Sequence, residues 1–268
     1  MSLITNKVGK LEYITAEGVS VPHCFTTRFG GVSEGYLDSL NLGIHRGDKP
    51  ENVVKNYEIL GEALGFRVDD LVFTRQTHTN IVRVVDETNR GEGLFRDVVP
   101  ECDALVTATP GVVLAAFTAD CTPILLHDPV TGAVGAVHTG WRGTVADIAG
   151  NAVRAMGECY GSRPEDIRAA IGPNIGVCCF ETHADVPDAV RAVLGEEAEA
   201  FIVPAGEKFR VDLKGVNAAL LRRAGVRQIE VSGDCTACQP DRFWSHRRVG
   251  NDRGSLAAII VCEGGNTK

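Results

Sequence analysis

Short apolar runs bounded by turn-forming residues recur along the chain and predict a protein rich in strands. Each run ends at Gly, Pro, Asn or a charged residue, which is typical of buried strands. Apolar residues at helical spacing predict helices between some of these strands. The predicted strands are 71–74, 81–85, 102–107, 167–171, 209–213, 229–231 and 256–261, and the predicted helices are 50–64, 144–160, 184–200 and 214–224.

Strands and helices alternate irregularly in this pattern, and at least two pairs of strands are predicted to form hairpins. This arrangement favours a mixed α/β sheet over a regular parallel one. No low-complexity linker or internal repeat divides the sequence. We therefore predict one domain over residues 1–268.

The stretch 115–143 carries the clearest chemistry. It predicts an apolar strand with Asp120 and Cys121 at its end, a turn at 128–132 and a second strand at 133–137 that leads into His138. Such a hairpin would place a thiol beside an imidazole. Thiolate and imidazole are ligands that zinc prefers, and they also form the Cys–His pair of a nucleophilic enzyme.

His78 lies between two predicted strands, at a break flanked by polar residues. If it meets Cys121 and His138, two imidazoles and one thiolate would leave the fourth position of a tetrahedral zinc ion open, as in catalytic zinc sites. Asp120 could orient a ligand or move protons. A metal-free Cys121–His138 pair remains the alternative, and it would leave His78 without a role.

Three arginines next to glycine-rich or polar loops are candidates to bind an anion such as phosphate: Arg28, Arg46 and Arg142. The predicted helix 144–160 begins directly after Arg142. We expect its N-terminal N–H groups to favour an anion there as well.

Composition narrows the class of protein. The net charge of −8 argues against a broad nucleic-acid surface. Nine scattered cysteines, with neither an apolar leader nor a membrane-spanning run, predict a cytoplasmic protein with no membrane partner. The CxxC at Cys235 and Cys238 has no second CxxC, so we interpret it, like the adjacent Cys178 and Cys179, as packing.

Ordered sequence blocks resemble the YfiH-like laccase-domain family over nearly the whole chain. These blocks are TTRFGGVSEG with SLNLG, RQTH, TADCTPILLHDP with VHTGWRG, IGPNIG with CCFE, and CTACQPDRFWSHRR. The resemblance implies a single layered αββα domain with mixed sheets, distantly like cytotoxic-necrotizing-factor hydrolases. It also places the family's metal ligands on His78, Cys121 and His138. His246 stands where Tyr is common in the family, which bears on substrate preference.

The activity that the resemblance implies is zinc-dependent phosphorolysis of purine nucleosides (adenosine, inosine, guanosine and methylthioadenosine), with deamination of adenosine. Catalysis is then expected from Asp120, Cys121 and His138. Contacts to nucleoside and phosphate are expected from Arg28, Asn41, Arg46, Gln76 and Arg142. We expect a monomer or small homo-oligomer.

Two other functions are attached to the same family. One is a copper polyphenol oxidase, with Cu²⁺ in place of Zn²⁺, although seven scattered histidines without H-x-H pairs suit several copper centres poorly. The other is a cysteine-type hydrolase or editing factor that acts on peptidoglycan precursors. The zinc phosphorylase is the leading hypothesis.

Overall fold

The computed structural model describes residues 3–97 and 100–265. These residues form fifteen strands and six α-helices. The strands are β1 (Leu3–Val8), β2 (Leu11–Ala16), β3 (His23–Thr26), β4 (Leu71–Phe73), β5 (Val82–Val84), β6 (Ala104–Thr107), β7 (Val113–Thr118), β8 (Thr122–His127), β9 (Val134–Thr139), β10 (Arg168–Ile171), β11 (Glu181–Thr182), β12 (Ile202–Ala205), β13 (Lys208–Val211), β14 (Gln228–Val231) and β15 (Leu256–Val261). The helices are α1 (Pro50–Leu64), α2 (Trp141–Val145), α3 (Ile148–Tyr160), α4 (Asp185–Leu194), α5 (Leu213–Arg223) and α6 (His246–Val249).

Two six-stranded sheets carry most of the strands. The first has the order β1-β2-β3-β15-β7-β4 and the second has the order β14-β10-β8-β9-β6-β5, while β11, β13 and β12 form a small third sheet. Most neighbours are antiparallel, but β4 with β7, β5 with β6, and β10 with β14 are parallel. The predicted mixed α/β architecture is confirmed.

The alternation of side chains along each strand explains why the sheets pack face to face. In β7, Leu114 and Ala116 join the core between the two sheets, whereas Val113 and Ala115 join the core under α1. In β8, Leu125 faces the first of these cores and Ile124 faces α3. Because each sheet is apolar on both faces, helices cover the outer faces and complete the predicted αββα layers.

Helix α1 has the predicted bounds. Its buried face includes Val53, Tyr57 and Leu60, and it ends at Gly65, which adopts a left-handed φ of 76°. Glycine tolerates this conformation without the penalty that a Cβ imposes. None of the helices in the described ranges has both the length and the apolar character that a membrane span requires.

The predicted strand with Asp120 and Cys121 at its end is corrected, because the chain changes sheets at these two residues. Strand β7 ends in the first sheet at Thr118, and β8 begins in the second sheet at Thr122. Asp120 makes the bend with a φ of 86°. The hairpin itself is confirmed, since β8 and β9 pair antiparallel with Pro123 opposite His138.

The predicted helix 144–160 is also corrected. The helical segment starts earlier, at Trp141, and breaks at Asp147, whose φ is 55°. The Asp147 side chain accepts a hydrogen bond from the N–H of Gly150 and so caps the longer helix α3. A carboxylate therefore caps α3, whereas no side chain caps the start of α2 directly after Gly140, and an anion at this helix start stays a prediction.

Candidate metal centre and active site

His78, Cys121 and His138 come together where the chain passes between the two large sheets. His78 lies on the connection from β4 in the first sheet to β5 in the second, and Cys121 lies on the connection from β7 to β8. His138 is near the end of β9, opposite the start of β8. One donor atom from each side chain lies within 4.8 Å of the other two, so the group could hold a metal ion.

Asp103 organises both histidines. Its carboxylate accepts hydrogen bonds from the backbone N–H groups of Thr77, His78 and Thr79 at 3.2, 3.1 and 2.8 Å. These bonds hold the loop on which His78 adopts a left-handed φ of 62°. The same carboxylate pairs with Nδ1 of His138 at 2.7 Å, which leaves Nε2 of that ring for a metal ion.

The pKa values of this group reflect charge as well as burial. Burial lowers the pKa of His138, but the negative charges of Cys121 and Asp103 outweigh burial and raise it to about 9. Burial raises the pKa of Asp103, but hydrogen bonds, above all from His138, bring it down to about 2. Burial, followed by the charge of His138, lowers the pKa of His78. The site therefore holds an anionic carboxylate beside the ligands.

The group fits a zinc-type ion in donor chemistry and in space. Two imidazoles and a thiolate are ligands that zinc prefers, and a ligand histidine bonded to a carboxylate is common in metal sites. A Cβ at Gly140 would lie 2.6 Å from Nδ1 of His78 and 3.4 Å from Sγ of Cys121. Glycine at this position keeps the space around the ligands open.

A cavity of about 360 Å³ opens beside this group, and His78 and Cys121 line it. Its size lies within the range of small-molecule sites. Its walls combine apolar and cationic side chains, and they include Trp141, Phe180, Leu213, Arg142, Arg247 and Arg253. Despite the negative net charge of the chain, this cavity suits an anionic group attached to a flat, partly apolar ligand.

Arg253 is a site residue that the sequence-based interpretation missed. Only 9% of it is exposed, and its Nε has no hydrogen-bond partner within the described residues. Burial, followed by the charge of Arg46, lowers its pKa to about 10, so it stays cationic at neutral pH. A buried cation with a free donor beside a cavity is suited to an anionic ligand. The Arg253-Gly254 dipeptide, shortly after the block CTACQPDRFWSHRR, is the sequence feature that could have indicated this residue.

Asp120 lines the cavity, but both of its carboxylate oxygens have partners. The hydroxyl of Thr236 donates to one oxygen and the backbone N–H of Arg247 to the other, each at 2.6 Å. Its carbonyl accepts from the N–H of Ile175 at 2.9 Å. These bonds fix the bend that carries Cys121.

The five predicted substrate-binding residues fall into three groups. Arg142 lines the cavity beside the candidate ligands, whereas Arg46 and Gln76 line a neighbouring cavity of about 810 Å³. Arg28 and Asn41 line neither cavity. Arg28 donates to the carbonyls of Asp38 and Pro240 and lies over Trp244, and Asn41 is fully buried in a network with Gly43 and Asp48. The contacts of both residues therefore lie within the fold, and their role in substrate binding stays a prediction.

The fold and site together define a layered α/β protein with a His, Cys and His group at the wall of a cationic cavity. Residues 22–263 match the family model described as multi-copper polyphenol oxidoreductase laccase. The chain belongs to this laccase-like family, and the resemblance to YfiH-like proteins is thereby confirmed.

Relatives and solved structures agree with this assignment. The chain is 43% identical over 251 residues to a purine nucleoside phosphorylase of Deinococcus radiodurans, which covers 93% of this chain and 92% of the relative. It is 36% identical to adenosine deaminase RL5 from an unknown prokaryotic organism, with 91% and 93% covered. The crystal structure of YlmD from Geobacillus stearothermophilus superposes with a TM-score of 0.90 at 35% identity, covering 97% and 99%.

Proposed function

We propose that this protein is a zinc-dependent purine nucleoside phosphorylase that also deaminates adenosine. The observation that carries the proposal is the convergence of His78, Cys121 and His138 at a cavity with three arginine side chains. Relatives named purine nucleoside phosphorylase and adenosine deaminase support the substrate class. Adenosine, inosine, guanosine and methylthioadenosine are the proposed nucleosides, and phosphate is the second substrate.

Phosphorolysis breaks the bond between C1′ of the sugar and the purine nitrogen and forms a bond between C1′ and a phosphate oxygen. The purine leaves with the bonding electron pair and takes up a proton. Phosphate carries negative charge towards C1′, so it needs cationic donors close by. In this proposal Arg142 and Arg253 hold phosphate, and Trp141 and Phe180 supply the apolar surface for the purine.

His78, Cys121 and His138 would hold the zinc ion, with Asp103 keeping both histidines in place. When bound there, zinc supplies a Lewis acid that increases the acidity or electrophilicity of a group at its open position. Asp120 is a positioning residue in this proposal, because its hydrogen bonds fix the bend before Cys121. His246 lines the same cavity and donates from Nδ1 to the carbonyl of Gly250 at 2.9 Å, which leaves its Nε2 for a proton.

Deamination exchanges the amino group of adenosine for an oxygen from water and releases ammonia. It shares with phosphorolysis the need for a bound purine, a site for one oxygen nucleophile and a proton for the leaving group. One cavity could therefore serve both reactions. Arg46 and Gln76 line the neighbouring cavity and are assigned no contact with the purine.

The test is to incubate zinc-loaded protein with adenosine in the presence and absence of phosphate. We expect adenine and ribose 1-phosphate only with phosphate, and inosine under both conditions. Cys121→Ser should abolish these products, whereas Cys159→Ser, which changes an exposed cysteine outside the cavity, should not. Absence of all of these products from the zinc-loaded wild type would refute the proposal.

Metal analysis, a phenol-oxidation assay, chelation and alkylation of the same protein test the two alternatives. Stoichiometric copper with oxidation of phenols would favour the polyphenol oxidase. Activity that survives chelation but is lost on alkylation of Cys121 would favour a cysteine-type hydrolase or editing factor. Neither alternative has a specific structural observation in its favour beyond the family description and the Cys121–His138 contact.

A further inference from the structure

Four cysteines from two distant segments form a second cluster, away from the three ligands described above. Cys178 and Cys179 follow β10, and Cys235 and Cys238 follow β14. All four sulfur atoms lie within 4.8 Å of one another, and the Sγ of Cys238 is 3.4 Å from the sulfurs of both Cys178 and Cys179. None of the four forms a disulfide. Cys235 and Cys179 do pack against apolar neighbours such as Ile175, as predicted, but the meeting of all four thiols was not predicted.

We propose that Cys178, Cys179, Cys235 and Cys238 bind one zinc ion as a structural tetrathiolate site. A zinc–sulfur bond of about 2.3 Å places tetrahedral sulfur ligands about 3.8 Å apart. The observed spacing is close to this value and is far longer than the sulfur–sulfur bond of a disulfide, which is about 2.05 Å. Four thiolates around one ion leave no open position, which is the mark of a structural site.

The backbone explains why the four side chains meet. Strands β10 and β14 are parallel neighbours, so both chains leave the sheet at the same edge. Beyond it, Asn174 and Cys235 form a bridge, and the N–H of Thr236 donates to the carbonyl of Asn174 at 2.9 Å. A tight turn then follows in each segment, closed at 2.9 Å by the N–H of Cys179 onto Gly176 and at 3.2 Å by the N–H of Cys238 onto Cys235. These turns direct two thiols from each segment to one point.

Gly176 adapts the backbone to the cluster. Its N–H donates to Sγ of Cys235 at 3.1 Å, a bond that favours the thiolate form. A Cβ at this position would lie 3.3 Å from Sγ of Cys178 and 3.2 Å from Cβ of Cys235. A side chain at this position would therefore crowd two of the four ligands.

Cationic side chains surround the cluster and would balance the double negative charge of a zinc ion with four thiolates. Lys214 is only 7% exposed and donates to the carbonyl of Asp234 at 2.7 Å. It lies within electrostatic range of Asp212 and Asp234 as well as of Cys235 and Cys178. Arg247 donates to the carbonyl of Cys179 at 3.0 Å, and Arg248 donates to the carbonyl of Ala237 at 2.6 Å. Burying Lys214 is costly unless negative charge lies nearby.

The proposed ion would stabilise one wall of the active-site cavity. Thr236, which lies between two of the cysteines, donates to the carboxylate of Asp120, and Ile175 donates to its carbonyl. Both bonds come from the segments that the four cysteines would join. A zinc ion would therefore hold the bend before Cys121 without contacting a substrate.

The test uses the full-length Cys121→Ser variant, which lacks the only thiolate of the other site. It is purified under reducing conditions, loaded with Zn²⁺, freed of excess metal and then exchanged with Co²⁺. We expect about one bound ion per chain and the visible absorption of tetrahedral cobalt with several thiolate ligands. This readout does not depend on nucleoside activity, so it can succeed where the proposed function fails, and the reverse.

Cys235→Ser combined with Cys238→Ser in the otherwise native chain should lower the zinc content from about two ions to about one. Cys159→Ser is the matched control and should keep both ions. Cys121→Ser protein without bound metal, iron in place of zinc, or a disulfide among the four cysteines of freshly purified protein would each overturn the proposal.

Discussion

The two thiol-containing clusters differ in every property that separates a reactive metal site from a structural one. The His78, Cys121 and His138 group mixes nitrogen and sulfur donors, offers three of them and adjoins a cavity. The four-cysteine cluster is all sulfur and has four donors. An open site with mixed ligands can accept a substrate or water, whereas a closed tetrathiolate site stabilises the fold. Loss of a thiol should therefore reduce activity at the three-ligand group and reduce stability at the four-cysteine cluster.

The largest expected effect is the loss of activity in Cys121→Ser. Removing this ligand should lower kcat/KM for phosphorolysis of inosine by on the order of a thousandfold, because the proposed electrophile is lost. The melting temperature should fall less than when two ligands of the four-cysteine cluster are removed, because two histidine ligands of this site remain. Steady-state kinetics and thermal unfolding of the same preparation check both expectations. A variant with full activity would remove the distinction between the two clusters.

The second effect is on stability and concerns the four-cysteine cluster. Cys235→Ser together with Cys238→Ser should lower the free energy of unfolding by about 4 kcal/mol, the contribution of an ion present at roughly a thousand times its dissociation constant. For a chain of this size the melting temperature would fall by about 10 °C. Activity at low temperature should decrease far less than in Cys121→Ser. A zinc-loaded double variant with the same melting temperature as the zinc-loaded Cys159→Ser control would contradict a structural role for the cluster.

A smaller effect is expected when the support of the open site is weakened and its ligands are kept. Asp103→Asn removes the negative charge beside His138 and places an amide near the N–H groups of Thr77 and Thr79. Loss of such a partner typically lowers metal affinity 10- to 100-fold. Competition with a fluorescent zinc chelator measures the affinity of the His78, Cys121 and His138 group. The Cys235→Ser, Cys238→Ser background removes the other proposed zinc site. Asp188→Asn, at an exposed ion pair, is the control and should leave the affinity unchanged.

A pH dependence of stability is expected from His127, a buried histidine outside both thiol-containing clusters. Burial, followed by the charge of Arg168, lowers the pKa of His127 from 6.5 to about 4. The native state therefore binds fewer protons than the unfolded state between these values, so stability is lost as pH falls from 6.5 towards 4. The loss attributable to His127 over this whole range should be on the order of 3 kcal/mol.

Urea unfolding across this pH range tests the expectation for His127. His127→Gln should make the pH dependence shallower, and His183→Gln, at an exposed histidine, should leave it as in the wild type. Any loss of metal at low pH is common to all three proteins and cancels in the comparison. Equal slopes in all three would show that His127 does not couple to unfolding.

The layered fold and the three candidate ligands were predictable because they follow from local patterns and from family blocks. Strand β15, helix α1 and the β8–β9 hairpin match their predicted positions closely. The change of sheet before Cys121 was not predictable, because Asp120 is not a glycine and its positive φ depends on hydrogen bonds from distant residues. The break at Asp147 likewise interrupts a continuous apolar pattern.

Contacts between distant segments account for what the sequence-based interpretation missed. The CxxC at Cys235 gains its partners only because β14 lies parallel to β10, and adjacent cysteines such as Cys178 and Cys179 do not have the spacing of a known zinc motif. Arg28 was predicted to bind an anion, and its hydrogen bonds to the carbonyls of Asp38 and Pro240 likewise depend on segments distant in sequence. Neither arrangement can be predicted from the spacing of neighbouring residues in the sequence.

The position of β15 in the first sheet has a consequence for how the protein is made. This strand lies between β3 and β7, yet it follows every other described strand in sequence. During synthesis the first sheet therefore remains split until β15 emerges from the ribosome, although His78, Cys121 and His138 are translated long before. Since two of these residues lie on connections that leave this sheet, their final arrangement waits for β15. Metal acquisition at the cavity would then be a late step of biosynthesis.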